Sequence, residues 1–224
     1  MPRVARTVIS GVQHHVTQRG NNRQDVFFVD DDRRFYLETL KRESAKYDLE
    51  IHAYCLMTNH IHIVAVPKND DSLAMALGRT HLAYTQYLNR FHRRSGHLWQ
   101  NRYYSCPVDD KSLPVVAWYV ETNPVRAGIV RKAWKYEWSS AAAHTGGVDS
   151  TGMLQLDAFR RMATAESWKA YLTEREDDML IETIRAKTSR GRPLGSDSFV
   201  SKLETMVGRR LRPLANGRPR KESM

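Results

Sequence analysis

An α+β fold of the split-βαβ, ferredoxin-like kind, with an antiparallel sheet, is predicted by three features of the 224-residue sequence. Segments that read as strands and helices follow the order β, α, β, β, α, β through its first half. Within the third of these strands, His60-Ile61-His62-Ile63-Val64-Ala65-Val66 carries histidines at alternate positions of a β-branched, apolar run. Beyond Trp138 the sequence turns helical, and from Lys187 it turns strongly basic, which adds a helical, basic C-terminal extension. The expected division is a sheet domain over residues 8–130, a helical extension over 131–186 and a basic tail over 187–224.

The elements are read in order. β-branched residues up to Thr17, then Arg19-Gly20-Asn21-Asn22, predict a strand over residues 12–19 and a loop. Asp30 or Asp31 caps a helix running to about Tyr47, with Phe35, Leu37, Leu40 and Tyr47 on its apolar side. Two strands follow, Leu49 to Leu56 and His60 to Val66, closed by Pro67. Leu73, Ala76, Leu77, Thr80, Tyr84, Tyr87, Leu88 and Phe91 recur at three- and four-residue steps, predicting a long amphipathic helix that ends at Gly96. Its other side carries Arg79, Arg90, Arg93 and Arg94, a face for solvent or for phosphate. His97 to Val108 reads as the fourth strand. Asp110 or Ser112 then caps a helix with Pro114 in its first turn, stopping near Asn123 because Pro124 disfavours helix at the residue before it. On this helix Tyr119 and Asn123 share a face and Glu121 points away. Ser196 or Asp197 caps a last short helix with Phe199 and Leu203 on one side.

No run is apolar enough to span a bilayer and no leader is recognisable at Met1 to Arg6, so a soluble cytoplasmic protein is expected. The two cysteines, Cys55 and Cys106, lie inside strands, as buried thiols in a reducing compartment do. The formal net charge of +10 points to a polyanion, and residues 187–224 hold ten basic side chains against three acidic ones, +7 of that total. Arg190-Gly191-Arg192-Pro193 and Gly217-Arg218-Pro219-Arg220 resemble hooks that lay arginines into a narrow minor groove. A solvated basic tail has the same composition.

Side chains on a strand alternate faces, so His60 and His62 point one way. Two imidazoles so placed can grip one metal ion, or can form a half-buried polar face. His60-Ile61-His62, Leu98-Trp99-Gln100-Asn101-Arg102-Tyr103 and Tyr119-Val120-Glu121-Thr122-Asn123-Pro124-Val125-Arg126-Ala127-Gly128, in that order, resemble the single-tyrosine HUH transposases, and within them the REP-associated tyrosine transposases. The resemblance spans about residues 8 to 130, and the Gly-Arg-Pro-Leu-Gly segment of the tail is similar to the same branch.

The resemblance implies a metal-dependent single-strand DNA endonuclease and strand transferase. Tyr119 is then the nucleophile, His60 and His62 are metal ligands with Asn123 as the third, and the cofactor is Mg²⁺ or Mn²⁺. A phenol is a poor nucleophile at neutral pH and needs the ion's field or a base to lose its proton. Its attack leaves a 5′-phosphotyrosine and a free 3′-hydroxyl. Tyr103 and Tyr104, on opposite faces of the fourth strand, are the rival tyrosines. The partners implied are single-stranded and hairpin DNA, with Arg19, Trp99, Arg102, Arg126, Arg190, Arg192, Arg209, Arg210 and Arg218 as contacts. Trp99, Tyr103 and Tyr104 suit base stacking and core packing equally. Insertion-sequence relatives exchange tyrosine helices as dimers, whereas the REP-associated branch implies a monomer. The alternative reading is a domesticated hairpin-binding protein without cleavage.

Overall fold

Four antiparallel strands, β1 (Gln13–Arg19), β2 (Leu49–Leu56), β3 (His60–Pro67) and β4 (Tyr104–Val108), form a sheet in the order β2-β3-β1-β4. The structure is a computed structural model and describes residues 6–174 and 177–213. Its helices are α1 (Asp30–Lys46), α2 (Ser72–Phe91), α3 (Leu113–Glu121), α4 (Asn123–Arg126), α5 (Ala141–His144), α6 (Leu156–Arg160), α7 (Ala165–Tyr171), α8 (Asp178–Arg190) and α9 (Asp197–Val207). The α+β class and the split-βαβ order are as the sequence predicts.

Register determines what the two faces carry. Thr17 lies opposite His62 and Arg19 opposite His60 across β1 and β3, while Cys55 of β2 lies opposite His62. These residues therefore share one face with His15 and Cys106, a pair across β1 and β4. The other face carries Val16, Ile61 and Ile63, all fully buried under α1 and α2, whose Tyr36, Leu40, Leu73, Leu77 and Tyr84 are equally buried. The face bearing His62 receives α3 over β2 and β3, and α8 over β4 and β1. One core cluster runs from Val16 to Trp168, Ile184 and Leu194, so the C-terminal helices bury their apolar stripes against the sheet domain.

Three local readings are corrected. The fourth strand starts at Tyr104, not His97. Before it the Asn101 carbonyl accepts from Gln18 Nε2 and the Tyr103 carbonyl from Arg6 Nε, so the ladder with β1 is interrupted there and resumes as the isolated bridge between Gly20 and Trp99. The long helix ends at Phe91, because Arg93 takes a positive φ of 49° that a helix does not allow. Neither Asp30 nor Asp31 caps α1; the carboxylate of Asp32 inside its first turn accepts the Phe28 and Val29 N–H groups at 2.8 and 3.1 Å. At the turn after β1, Gly20 is required sterically, since a Cβ there would lie 2.2 Å from the Gln24 carbonyl oxygen. The last helix is capped as expected: Ser196 Oγ accepts the Phe199 N–H at 3.2 Å. Ahead of it Leu194 runs beside β4, donating to the Pro107 carbonyl and accepting from Asp109 N–H, both at 2.8 Å.

Buried histidines make the fold acid-sensitive. Burial holds the His14 imidazole down to about 4 and the His81 imidazole, which meets Tyr36 Oη at 3.1 Å, down to about 3. In the unfolded chain both titrate near their ordinary 6.5, so below that pH the unfolded state binds more protons and stability falls as pH falls. Lowering the pH from 7 to 5 is expected to cost on the order of 2 kcal/mol for each ring and to lower the melting temperature by roughly 10 °C. Thermal melts across this range check it; a flat profile would contradict it.

Candidate active site

β3 presents His60 half-buried and His62 buried, with ring centroids 5.1 Å apart and planes nearly perpendicular. His60 Nδ1 donates to Asn59 Oδ1 at 2.6 Å, and His62 Nδ1 bonds His15 Nε2 at 3.0 Å. Neither bond uses the Nε2 atom of His60 or His62. Burial, then the charges of Arg19 and Arg126, hold His60 down to about 4. Burial, then His60, His15, Arg126 and Arg19, hold His62 well below the usual histidine range. Both rings are therefore neutral at pH 7, the state in which an imidazole binds a metal.

α3 brings Tyr119 to this face because Pro114 starts the helix and Thr122 to Pro124 interrupt it after Glu121. The phenol ring stands edge-on to His62 at 5.4 Å and to His15 at 5.7 Å between centroids. One turn on, Asn123 Nδ2 donates to the Tyr119 and Val120 carbonyls at 2.9 and 3.4 Å, bonds that leave Oδ1 unused. Arg126 lies over the Tyr119 ring at 4.4 Å and donates to the Tyr119 carbonyl at 2.9 Å. Arg185 of α8, which pairs with Glu182 at 2.5 Å, also interacts electrostatically with the Tyr119 side chain.

By chemical type the candidate donors suit a divalent cation; His60 and His62 are brought together, while Asn123 is tied to the site through the Tyr119 carbonyl. Two neutral imidazoles and an amide oxygen are borderline-to-hard ligands that suit Mg²⁺ or Mn²⁺ with water or phosphate oxygen completing the shell. Among the described residues no three His, Cys, Asp or Glu side chains assemble as a metal site, so an ion here would depend on an amide or on substrate.

The remaining candidates are dispersed. Arg19 lies beside His60. Trp99 packs on His81, Tyr36 and Tyr84, on the α1–α2 side of the sheet, and keeps only part of its ring at the surface. Tyr103 is buried under Arg6, whose guanidinium lies 3.7 Å from the ring centroid. Tyr104 shares the His62 face but is separated from it by β1 and is 39% exposed. Arg102, Arg190 and Arg210 are exposed. Arg192 follows α8, and Arg209 donates to Thr7 Oγ1 at 2.7 Å. Arg218 lies outside the described residues.

Sequence reading missed His15, Arg185, Thr188 and the surroundings of Glu121. His15 Nδ1 meets Thr188 Oγ1 at 2.8 Å. Fully buried Glu121 accepts from His144 Nδ1 at 2.5 Å, Trp168 Nε1 at 2.8 Å and Ser140 Oγ. The signal for His15 was its alternation with Thr17 and Arg19, which puts it on the Arg19 face once the strand is granted.

Comparison with known proteins follows the same outline. No curated protein matches the chain. Among solved structures it is similar to a REP-associated tyrosine transposase bound to a REP hairpin, at 18% identity over 64% of this chain and 85% of that one, with a TM-score of 0.56. It also matches a candidate transposase from Deinococcus radiodurans R1 at 19% identity, over 54% of this chain and 97% of that one, with a TM-score of 0.38. The first likeness is one of fold. A family model, that of the IS200-like transposases, matches residues 8–123, a stretch that opens just before β1, takes in His60 and His62 and closes on Asn123. With more than half its length so matched, the chain belongs to the IS200-like transposase family.

Proposed function

We propose that this family member is a metal-dependent single-strand DNA endonuclease and strand transferase of the REP-associated branch, acting beside palindromic hairpins. The observation that carries the reading is the Tyr119 ring edge-on to His62 at 5.4 Å with Arg126 stacked on it. His60 and His62, with Asn123, would hold Mg²⁺ or Mn²⁺. Held there, such an ion would supply Lewis acidity that withdraws charge from the scissile phosphate. Tyr119 Oη then forms a bond to phosphorus as the bond from phosphorus to the 3′ oxygen breaks. The phenol proton passes to water and the departing 3′ oxygen gains one. The product is a 5′-phosphotyrosine and a free 3′-hydroxyl, and attack by a 3′-hydroxyl on that linkage rejoins strands without ATP. Arg126, over the ring, puts positive charge beside the attacking phenol.

Arg19 and Arg126 are the phosphate contacts nearest the reacting group. Arg102, Arg190, Arg192, Arg209, Arg210 and Arg218 would hold the hairpin and its flank, and Trp99 would offer its exposed edge to a base. The protein acts as a monomer in this reading, supported by Glu121 tying α3 to Trp168 of the same chain. It would work at the bacterial nucleoid; none of the described helices is long and apolar enough to cross a membrane.

The test is a labelled hairpin oligonucleotide with a single-stranded flank. With Mg²⁺ or Mn²⁺ it is expected to yield an adduct that survives denaturation. Chelation by EDTA should abolish the adduct, and His60→Ala should lower its rate by on the order of 100-fold. Tyr119 is only 4% exposed, which favours a second reading, hairpin binding without cleavage. That reading gains if the oligonucleotide binds in either metal without an adduct and His60→Ala leaves binding unchanged.

A further inference from the structure

A chain of hydrogen bonds joins the candidate metal site to a helix far outside the family-matched residues. Thr188 of α8 donates its hydroxyl proton to the Ile184 carbonyl at 2.8 Å. A hydroxyl has one proton, so toward His15 Nδ1, 2.8 Å away, Thr188 Oγ1 acts as an acceptor. His15 Nδ1 therefore carries a proton. The His15 ring is 1% exposed and lies against Thr188, His62 and the edge of Tyr119, with no carboxylate partner among the described residues to support a charge. Its Nε2 is then a bare acceptor, and the 3.0 Å contact with His62 Nδ1 requires His62 to donate. A neutral His62 that keeps its proton on Nδ1 has its lone pair on Nε2. Without an acceptor at Nδ1, the proton is free to occupy Nε2 and block coordination there.

We infer that His15 and Thr188 are positioning residues that fix His62 in its Nδ1–H tautomer and aim its bare Nε2 into the metal site. The inference rests on the reading of His62 as a metal ligand. His15 reaches His62 across the β1–β3 pair, with the two rings stacked at 5.2 Å and 9°. Thr188, 173 residues beyond His15, lies outside the matched residues 8–123. The extension therefore completes the site by supplying the terminal acceptor of the relay, in addition to its basic charge. Cys106 Sγ, 3.3 Å from Thr188 Oγ1, approaches the same hydroxyl from β4; with the hydroxyl proton committed to Ile184, the thiol is the donor of that contact.

The test uses the full chain without DNA. Imidazole ¹⁵N shifts of the wild type are expected to show the proton on Nδ1 of both His15 and His62. A His62 protonated on Nε2 overturns the inference, with or without metal binding. Mn²⁺ titration followed by the loss of the free-ion EPR signal gives the second readout. His15→Phe keeps the ring and removes the acceptor, and should weaken Mn²⁺ binding by about 10- to 100-fold, as loss of an outer hydrogen-bond partner does. Thr188→Ser keeps the hydroxyl and should bind as the wild type, whereas Thr188→Val keeps the shape and should bind more weakly. A packing role predicts the reverse order, which would also overturn the relay. If the wild type and His60→Ala bind Mn²⁺ equally poorly, the metal reading fails, and the ¹⁵N shifts still decide the relay.

Discussion

Tyr119→Phe is expected to abolish the covalent DNA adduct, a loss of at least about a thousandfold in adduct formation, while hairpin affinity stays within roughly twofold. The substitution removes a single oxygen. The phenyl ring keeps its edge contacts with His62 and His15 and its place under the Arg126 guanidinium, so the backbone of α3 and the surrounding charges stay in position. What disappears is the oxygen proposed to form the bond to phosphorus. The matched control is Tyr104→Phe, which alters an exposed tyrosine on the same sheet face and is expected to leave adduct formation unchanged. Persistence of the adduct in Tyr119→Phe with its loss in Tyr104→Phe would transfer the nucleophile to β4. Persistence in both would remove tyrosine chemistry at this face altogether.

The part of the site built by local periodicity is legible in the sequence. Alternation puts His60 and His62 on one face of β3, and a helix carrying Pro114 near its start and halted before Pro124 puts Tyr119 and Asn123 one turn apart. The part built by register and docking is not. His15 becomes a neighbour of His62 only because β1 pairs antiparallel with β3 and Thr17 falls opposite His62; a shift of one residue would turn His15 to the α1–α2 side. Thr188 and Arg185 lie one turn apart on a helix whose sequence says it is amphipathic but not which surface receives it. For Trp99 the sequence leaves two readings open, base stacking and core packing; its ring packs on His81, Tyr36 and Tyr84, next to the bridge between Gly20 and Trp99 that no local pattern announces.

Glu121→Ala is expected to destabilise the protein by about 3–5 kcal/mol, because it leaves three buried donors without an acceptor at about 1–3 kcal/mol each. Helix geometry already turns Glu121 away from Tyr119; its carboxylate is fully buried against Ser140, His144 and Trp168. Oε1 accepts from His144 Nδ1 at 2.5 Å and from Ser140 Oγ, and Oε2 accepts from Trp168 Nε1 at 2.8 Å. The His144 ring is itself stacked on that of Phe159, 3.5 Å between centroids. Truncation to alanine leaves these donors without an acceptor in a space closed to water, so the loss exceeds the transfer energy of the removed side chain. For a chain of this length the melting temperature should fall by roughly 6–20 °C. Glu121→Gln separates charge from shape: its amide keeps one acceptor but turns an N–H₂ toward a group that is already a donor, so an intermediate loss is expected. Because Tyr119 and Glu121 sit two residues apart on opposite sides of α3, the carboxylate sets the rotation of the helix that aims the phenol at His62. Adduct formation by Glu121→Gln, assayed well below its melting point, should therefore fall further than its folded fraction. A melting shift under about 1 °C in Glu121→Ala would mean that the cluster exerts no hold on α3.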